Sequence, residues 1–440
     1  MKKNLFFICL LSLALAACHT GGEEPTPDQK PEDKPQKEYK QANKFVAYQC
    51  NERLFSRENA FQTIQAYVPT LQEMQVNVLW LMPIHPRGTE NSVNSPYCVK
   101  DFKAIEPAFG TMADLKALVD DCHSRGMLVI LDWIANHTAW DNQWHKDHPE
   151  WYTTPVADEV GWKDVAPLDY NKQEVRDAMT DALLYWVREA GIDGYRCDYA
   201  HGVPTDYWQS AIAEIRKLKP NAIMLAETSK TEYYGAGFDW LYSWSYLGAV
   251  QKIYSSKVST LFNISQGEFN NTPSGKDRLR YVTTHDASSE NAPSSWYKTA
   301  KGELAASVLT FFIGGVPMIY SSQEIGDTQK INFFNYKLLN FSGDNEIRDA
   351  YIKVMKAYIN TAEARYGDIV DYSTDHVAMF TRTQHDKSVL VIVNASGADQ
   401  DITLPMTWQR DRCYDAIACD SVTTPKSETL GAYEYMIYTK

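Results

Sequence analysis

Eight short apolar runs recur between residues 44 and 360: Phe45–Gln49, Val76–Met82, Leu128–Asp132, Gly194–Asp198, Ala222–Glu227, Trp240–Ser243, Tyr281–Thr284 and Val316–Tyr320. Most are followed by a polar stretch and then by apolar residues at helical spacing. In residues 174–189 the side chains Val175, Met179, Leu183, Trp186 and Val187 share one face, and Gly191 ends the pattern. Runs this short, alternating with amphipathic helices at this count, predict a parallel (β/α)8 barrel over residues 44–360 rather than an open sheet.

The period then changes. Val377–Arg382, Ser388–Val393 and Tyr433–Tyr438 alternate apolar and polar positions, which predicts a C-terminal antiparallel β-sandwich domain over 366–440. One connection stands out inside the barrel pattern. Residues 138–173, after the third run, are long for a βα loop and carry Trp140, Trp144, Trp151, Tyr152 and Trp162. By default these aromatics are core or lid packing.

The first residues belong to neither pattern. Lys2 and Lys3 precede an apolar stretch from Leu5 to Ala17, too short to span a bilayer, and Leu15-Ala16-Ala17-Cys18 ends it. That form resembles a bacterial lipoprotein signal, residues 1–18, with Cys18 acylated as the new N-terminus. Residues 19–43 are rich in Pro, Glu, Asp, Lys and Gln, and cannot bury enough apolar surface to fold. They read as a disordered tether. An exported, membrane-anchored protein at the outer membrane is the expectation, on its periplasmic or cell-surface face.

Across 440 residues the formal net charge is −13, with no basic stripe to neutralise phosphates, so nucleic acid is excluded as a partner. Of 8 cysteines, Cys50, Cys98, Cys122, Cys197, Cys413 and Cys419 lie outside the leader, and their spacing fits no zinc motif. Cys413 and Cys419 are near enough in sequence to pair, and the sequence leaves that open. Cys197, between Arg196 and Asp198, is expected to point into packing on the other side of its strand.

The chemistry gathers at the ends of the predicted strands. Gly194-Tyr-Arg-Cys-Asp198 ends on a carboxylate, as do Met224-Leu-Ala-Glu227 and Val282-Thr-Thr-His-Asp286, while Leu131-Asp132-Trp-Ile-Ala-Asn136-His137 has the same strand-then-polar form. Barrel enzymes place catalytic groups at such ends. Arg196 lies two residues before Asp198, hence on the same side of the strand, and is expected to lower the pKa of Asp198 and orient it. Glu227 follows an apolar run, which suits a carboxyl that must keep its proton. Asp132 is expected to orient the site through hydrogen bonds or to be purely structural.

These four segments, in this order, resemble the signature regions of the α-amylase superfamily of glycoside hydrolases. The resemblance implies retaining hydrolysis of α-glucosidic bonds in starch-like glucans or maltooligosaccharides, with Asp198 as nucleophile, Glu227 as acid/base and Asp286 as transition-state stabiliser. It implies sugar contacts from His137, Arg196 and His285. Tyr97, in Ser95-Pro-Tyr-Cys-Val-Lys-Asp-Phe102, matches a tyrosine that stacks on the sugar at the cleavage point. Residues 138–173 match a short domain B, and Gly314–Glu324 matches the eighth strand, an architectural element. A structural calcium with Asn136 and Asp169 as ligands is also implied, and no organic cofactor. Where many relatives carry Lys-His after the nucleophile, this chain has Tyr199-Ala200-His201-Gly202. An exo-acting α-glucosidase or a transglycosylase would use the same site; the short domain B favours an open cleft. A non-catalytic glycan-binding lipoprotein would have lost at least one of the three carboxylates, and all are present.

Overall fold

The computed structural model describes residues 45–153, 162–362 and 364–440. The leader, Cys18 and the tether at 19–43 lie outside these residues. Eight parallel strands close a barrel in chain order: β1 (Ala47–Cys50), β2 (Val78–Leu81), β3 (Leu128–Ile134), β4 (Gly194–Asp198), β5 (Ile223–Ala226), β6 (Trp240–Leu241), β7 (Asp277–Arg280) and β8 (Val316–Tyr320), the last pairing back onto β1.

Alternation along each strand sorts the side chains into two layers. Val78, Trp80, Ile130, Leu225, Leu279 and Met318 fill the barrel interior. Leu79, Leu81, Val129, Leu131, Met224 and Ile319 point outward under the helices. Cys197 joins the outer layer, as its place between Arg196 and Asp198 requires. All six described cysteines are free, Cys413 and Cys419 included. Helix Gln173–Glu189 buries Val175, Met179, Leu183, Trp186 and Val187, the predicted face.

The ladder is uneven around the ring. Four residue pairs join each of β1–β2, β2–β3, β3–β4 and β4–β5. Only two join each of β5–β6, β6–β7 and β7–β8, and three close β8 onto β1.

The seventh strand corrects the sequence reading. The expected strand Tyr281–Thr284 is not the paired segment; the ladder forms at Asp277–Arg280. Its polar residues are tolerated because Arg278 and Arg280 face outward and find partners there. Arg278 donates to the carbonyls of Ser229 and Tyr242 at 3.2 and 3.3 Å, and Arg280 donates to Ser243 Oγ at 2.7 Å and to Glu268. Thr284 is extended, and its hydroxyl accepts from the Ala287 N–H, so it caps a short helix, His285–Glu290. His285 and Asp286 therefore stand in the first turn of that helix, past the strand.

After β3, His137–Ala139 pairs antiparallel with Val165–Pro167, enclosing the short helix Gln143–Asp147. At the C-terminal end a six-stranded antiparallel sheet runs in the order Asp368–Asp371, Val377–Gln384, Lys387–Asn394, Tyr435–Thr439, Arg412–Asp415, Asp420–Thr423. Phe380, Val389, Val391 and Ile437 on one face join the large core of the barrel helices, where Phe380 meets Phe262 at 5.3 Å. Met379, Leu390 and Ile392 on the other face pack against Ile402 and Leu430 of a two-stranded sheet. Among the described residues, no helix is long and apolar enough to cross a membrane.

Candidate active site

A cavity of about 450 Å³ opens at the C-terminal ends of the strands. Asp198, Glu227, Asp286, Tyr97, His137 and His285 all line it. Arg196 lies beneath it, fully buried.

Arg196 organises the floor. Its Nη1 donates to Asp132 Oδ1 at 2.7 Å and to Asp198 Oδ1 at 2.8 Å, and its Nη2 lies 2.9 Å from Glu227 Oε1. The Glu227 contact is short but poorly aligned for a hydrogen bond, because Nη2 has no partner of good geometry. The rings of Trp80, Tyr97 and Tyr242 surround the guanidinium with centroids 5.3–5.6 Å from its central carbon. One cation thus serves three carboxylates in a site walled by aromatic rings.

This sharing changes the electrostatics expected from sequence. Arg196 does pull the pKa of Asp198 down, but burial pushes it up more strongly and Asp132 adds to the push, so Asp198 is raised to about 6. Glu227 is raised further, to about 7, by burial first, with the Asp198 charge and a hydrogen bond to Asp198 adding to it against Arg196. Asp286 is likewise pushed up to about 7 by burial and by Glu227. Its side chain stays 51 % exposed, so water in the cleft weakens that push. Burial thus raises both carboxyls, and the pair titrates as a unit over Arg196.

Glu227 gains a second anchor from an unusual backbone. Tyr199 sits at φ 40, ψ 45, in the left-handed region that non-glycine residues rarely enter. Its N–H points at Glu227 Oε2, 2.7 Å away. Gly202, one turn on, leaves room for this: a Cβ there would lie 2.4 Å from the Tyr199 ring and 2.5 Å from Asn136 Oδ1.

A chain of hydrogen bonds crosses the other side of the floor. Gln49, at the end of β1, places Nε2 2.7 Å from His285 Nδ1 and Oε1 3.4 Å from the His285 N–H. With the amide so oriented, Nδ1 accepts and Nε2 carries the ring proton. Burial, then Arg196, pushes the His285 pKa well down, so the ring is neutral. Its Nε2 lies 2.8 Å from the Tyr97 hydroxyl and 3.2 Å from Asp286 Oδ2. The Tyr97 hydroxyl in turn donates to Asp132 Oδ2 at 3.0 Å, beside a 3.2 Å bond from Trp80 Nε1. Asp132, fully buried, is thus a positioning group that ties Tyr97 to Arg196. His137 Nε2 bonds the Tyr97 carbonyl at 3.2 Å, and its ring meets Trp162 edge-on.

Both implied calcium ligands are engaged in hydrogen bonds. Asn136 Nδ2 pairs with His137 Nδ1 at 3.2 Å, and Asp169 Oδ1 accepts from the backbone and side chain of Asn171. Calcium takes six to eight oxygens. Among the described residues, no group of three or more His, Cys, Asp or Glu is placed to hold a metal ion.

Several site residues were not legible in the sequence. Gln49 had a faint signal, as the polar end of an apolar run. Trp244, Phe333 and Phe334 also line the cleft, from segments without period. Phe333 covers Tyr97 and His285, with ring centroids at 5.7 and 4.7 Å. Of the tryptophans after β3, Trp162 lines the cleft, while Trp144 packs against Phe102 and Trp151.

Comparison with known proteins agrees with this geometry. Residues 60–166 match the family model described as alpha amylase, catalytic domain. The chain is 24% identical over 370 residues to alpha-amylase 2 of Dictyoglomus thermophilum, covering 77% of this chain and 64% of that protein. It is 25% identical over 377 residues to a cyclomaltodextrinase of Thermoanaerobacter pseudethanolicus, covering 76% and 63%. It thus spans less than two thirds of the length of these curated relatives. Among solved structures, a maltogenic alpha-amylase from Thermotoga neapolitana superposes with a TM-score of 0.79 at 25% identity, over 90% of this chain and 98% of that one. An alpha-amylase from Lactobacillus plantarum shares the fold with a TM-score of 0.80 at 24% identity, over 90% and 99%. The closed barrel with its strand-end carboxylates thus belongs to a chain that is similar, in residues 60–166 and in fold, to proteins of the alpha-amylase family.

Proposed function

We propose that this chain is a retaining glycoside hydrolase that cleaves α-glucosidic bonds in starch-like glucans or maltooligosaccharides. The observation that carries the reading is the sharing of Arg196: Asp198 and Glu227 approach one guanidinium at 2.8 and 2.9 Å. Double displacement needs its two carboxyls about 5–5.5 Å apart, and a shared guanidinium holds this pair side by side.

In this reading ionised Asp198 attacks the anomeric carbon. Glu227 gives its proton to the glycosidic oxygen, and the C–O bond to the leaving chain breaks. Glu227, now ionised, takes a proton from water, which attacks the same carbon and releases Asp198. Asp286 and His285 hold hydroxyls of the reacting sugar, and Asp286 stays accessible enough to do so at 51 % exposure. Tyr97 supplies an aromatic wall for the sugar's apolar face. No step uses a metal. NMR of the first products on a maltooligosaccharide tests the assignment: the α-anomer is expected first, and initial release of the β-anomer would overturn the role of Asp198.

We further propose that Cys18 carries a lipid that anchors the protein at the outer membrane, with residues 19–43 as the tether. The support is the sequence of the leader, Lys2-Lys3 followed by an apolar run and Leu15-Ala-Ala-Cys18. A multiply acylated cysteine holds a protein at a bilayer without a spanning helix.

A further inference from the structure

The general acid marks one side of the cleavage point. Glu227 protonates the leaving oxygen, so the leaving chain lies on the side of Glu227, where Tyr199, His201 and Trp244 line the cleft. The retained sugar lies over Tyr97 and His285, and Phe333 closes against both. What stands beyond Phe333 decides how many further sugars the enzyme can hold on the non-reducing side.

Two loops meet there, and they are stitched together. Arg87 Nη1 donates to the carbonyls of Asn94 and Phe334, both at 3.2 Å. Asn94 Nδ2 donates to the same Phe334 carbonyl at 2.8 Å. The loop after β8 is also pinned from below: the Ile331 N–H donates to the Ser288 carbonyl at 3.0 Å, and the Leu339 N–H to the Leu54 carbonyl at 2.9 Å. Ile331 is fully buried. This is a fixed wall. Its two faces look into different spaces, since Val93, Ser95 and Phe334 line the catalytic cavity while Arg87, Ser92 and Asn94 line a separate cavity of about 660 Å³.

We propose that the Arg87–Asn94–Phe334 strap ends the glycone side of the cleft, so that the chain takes the non-reducing ends of α-glucans and releases units of one or two sugars. This rests on the hydrolase reading above and narrows it. The catalytic cavity holds about 450 Å³, within the range of pockets that take small ligands. In this reading the loops after β2 and β8, rather than domain B, bound the glycone side.

The test uses the purified protein and maltoheptaose labelled at its reducing end. The expected early products are unlabelled glucose or maltose, with the label on chains shortened by one or two units. Labelled fragments from mid-chain at the earliest times would overturn the strap while leaving the hydrolase reading intact. No cleavage of any α-glucoside would overturn both. Arg87→Ala with Asn94→Ala removes the side chains that tie the two loops and should raise the share of unlabelled first products of three or more units at least threefold. Should that pair fail to fold by circular dichroism, Val93→Gly with Phe334→Ala thins the wall without cutting its hydrogen bonds, and the same shift is expected. An unaltered product pattern in a folded variant would refute the strap.

Discussion

Replacing Glu227 with Gln should abolish catalysis and, at alkaline pH, make the protein more stable. Glu227 has a pKa of about 7 when folded against 4.5 when free. Below pH 4.5 the carboxyl is protonated in both states and contributes no penalty. Between 4.5 and 7 the unfolded chain ionises and the folded chain resists, so folding stability falls by ~1.4 kcal/mol per pH unit. Above about 7 the loss is complete, at roughly 3 kcal/mol. Gln does not titrate and escapes this loss. Against that gain, its amide weakens the contact with Arg196 and presents either an NH2 or a poorer acceptor to the Tyr199 N–H, which costs about 1–2 kcal/mol. The net expectation for Glu227→Gln is about 1–2 kcal/mol of added stability at pH 8 and none, or a small loss, at pH 4.5. Thermal melts of both proteins at pH 4.5, 6 and 8 read it directly. Turnover on maltooligosaccharide should fall by about 10²–10⁴-fold or more, the usual contribution of a general acid. A melting difference that does not change with pH, or that turns against the variant as pH rises, would refute the placement of a proton on Glu227.

Gln49→Leu leaves His285 Nδ1 without its donor; kcat/KM should fall about tenfold or more and stability by about 1–3 kcal/mol, with the loss of a fixed ring tautomer visible by ¹⁵N NMR. Gly202→Ala drives a methyl into the Tyr199 ring and Asn136; kcat should drop at least tenfold with the fold kept by circular dichroism, and a fully active variant would mean that the Tyr199 backbone does not position Glu227. If Asn136 and Asp169 hold a structural calcium, chelation should lower the melting midpoint and added calcium restore it; an unchanged curve with no metal by elemental analysis would leave the two as hydrogen-bonding groups. Cys18→Ala should release the protein to the soluble fraction or leave an unprocessed precursor; normal processing with continued membrane fractionation would require another anchor.

The barrel and its principal carboxylates were legible because both rest on local pattern. β4 ends on Asp198 and β5 runs into Glu227, so counting residues along an apolar run finds the side chain and its face. The pattern failed where tertiary partners override it. Asp277-Arg-Leu-Arg280 has too many charges to read as a buried strand, and it is one because Glu268, Ser243, Ser265, Thr272 and nearby carbonyls take up its arginines. The shared Arg196 could not be counted from sequence either, since Asp132, Asp198 and Glu227 come from three strands and meet only in the fold. Phe333 and Phe334 lie in an irregular segment, where no period marks which face is inward.

The thin pairing along β5–β6–β7–β8 means that the barrel is not equally hard to open around its ring. Two-pair seams offer few backbone hydrogen bonds to hold against water, whereas the arc from β1 to β5 is laddered twice as densely. Sub-global opening starts where such bonds are fewest. Asp198 and Glu227 hang from the dense arc, while Asp286 follows the sparse one. The two carboxyls proposed as nucleophile and acid/base are thus mounted on the densely laddered half of the ring, and the carboxylate proposed to hold the sugar on the sparsely laddered half.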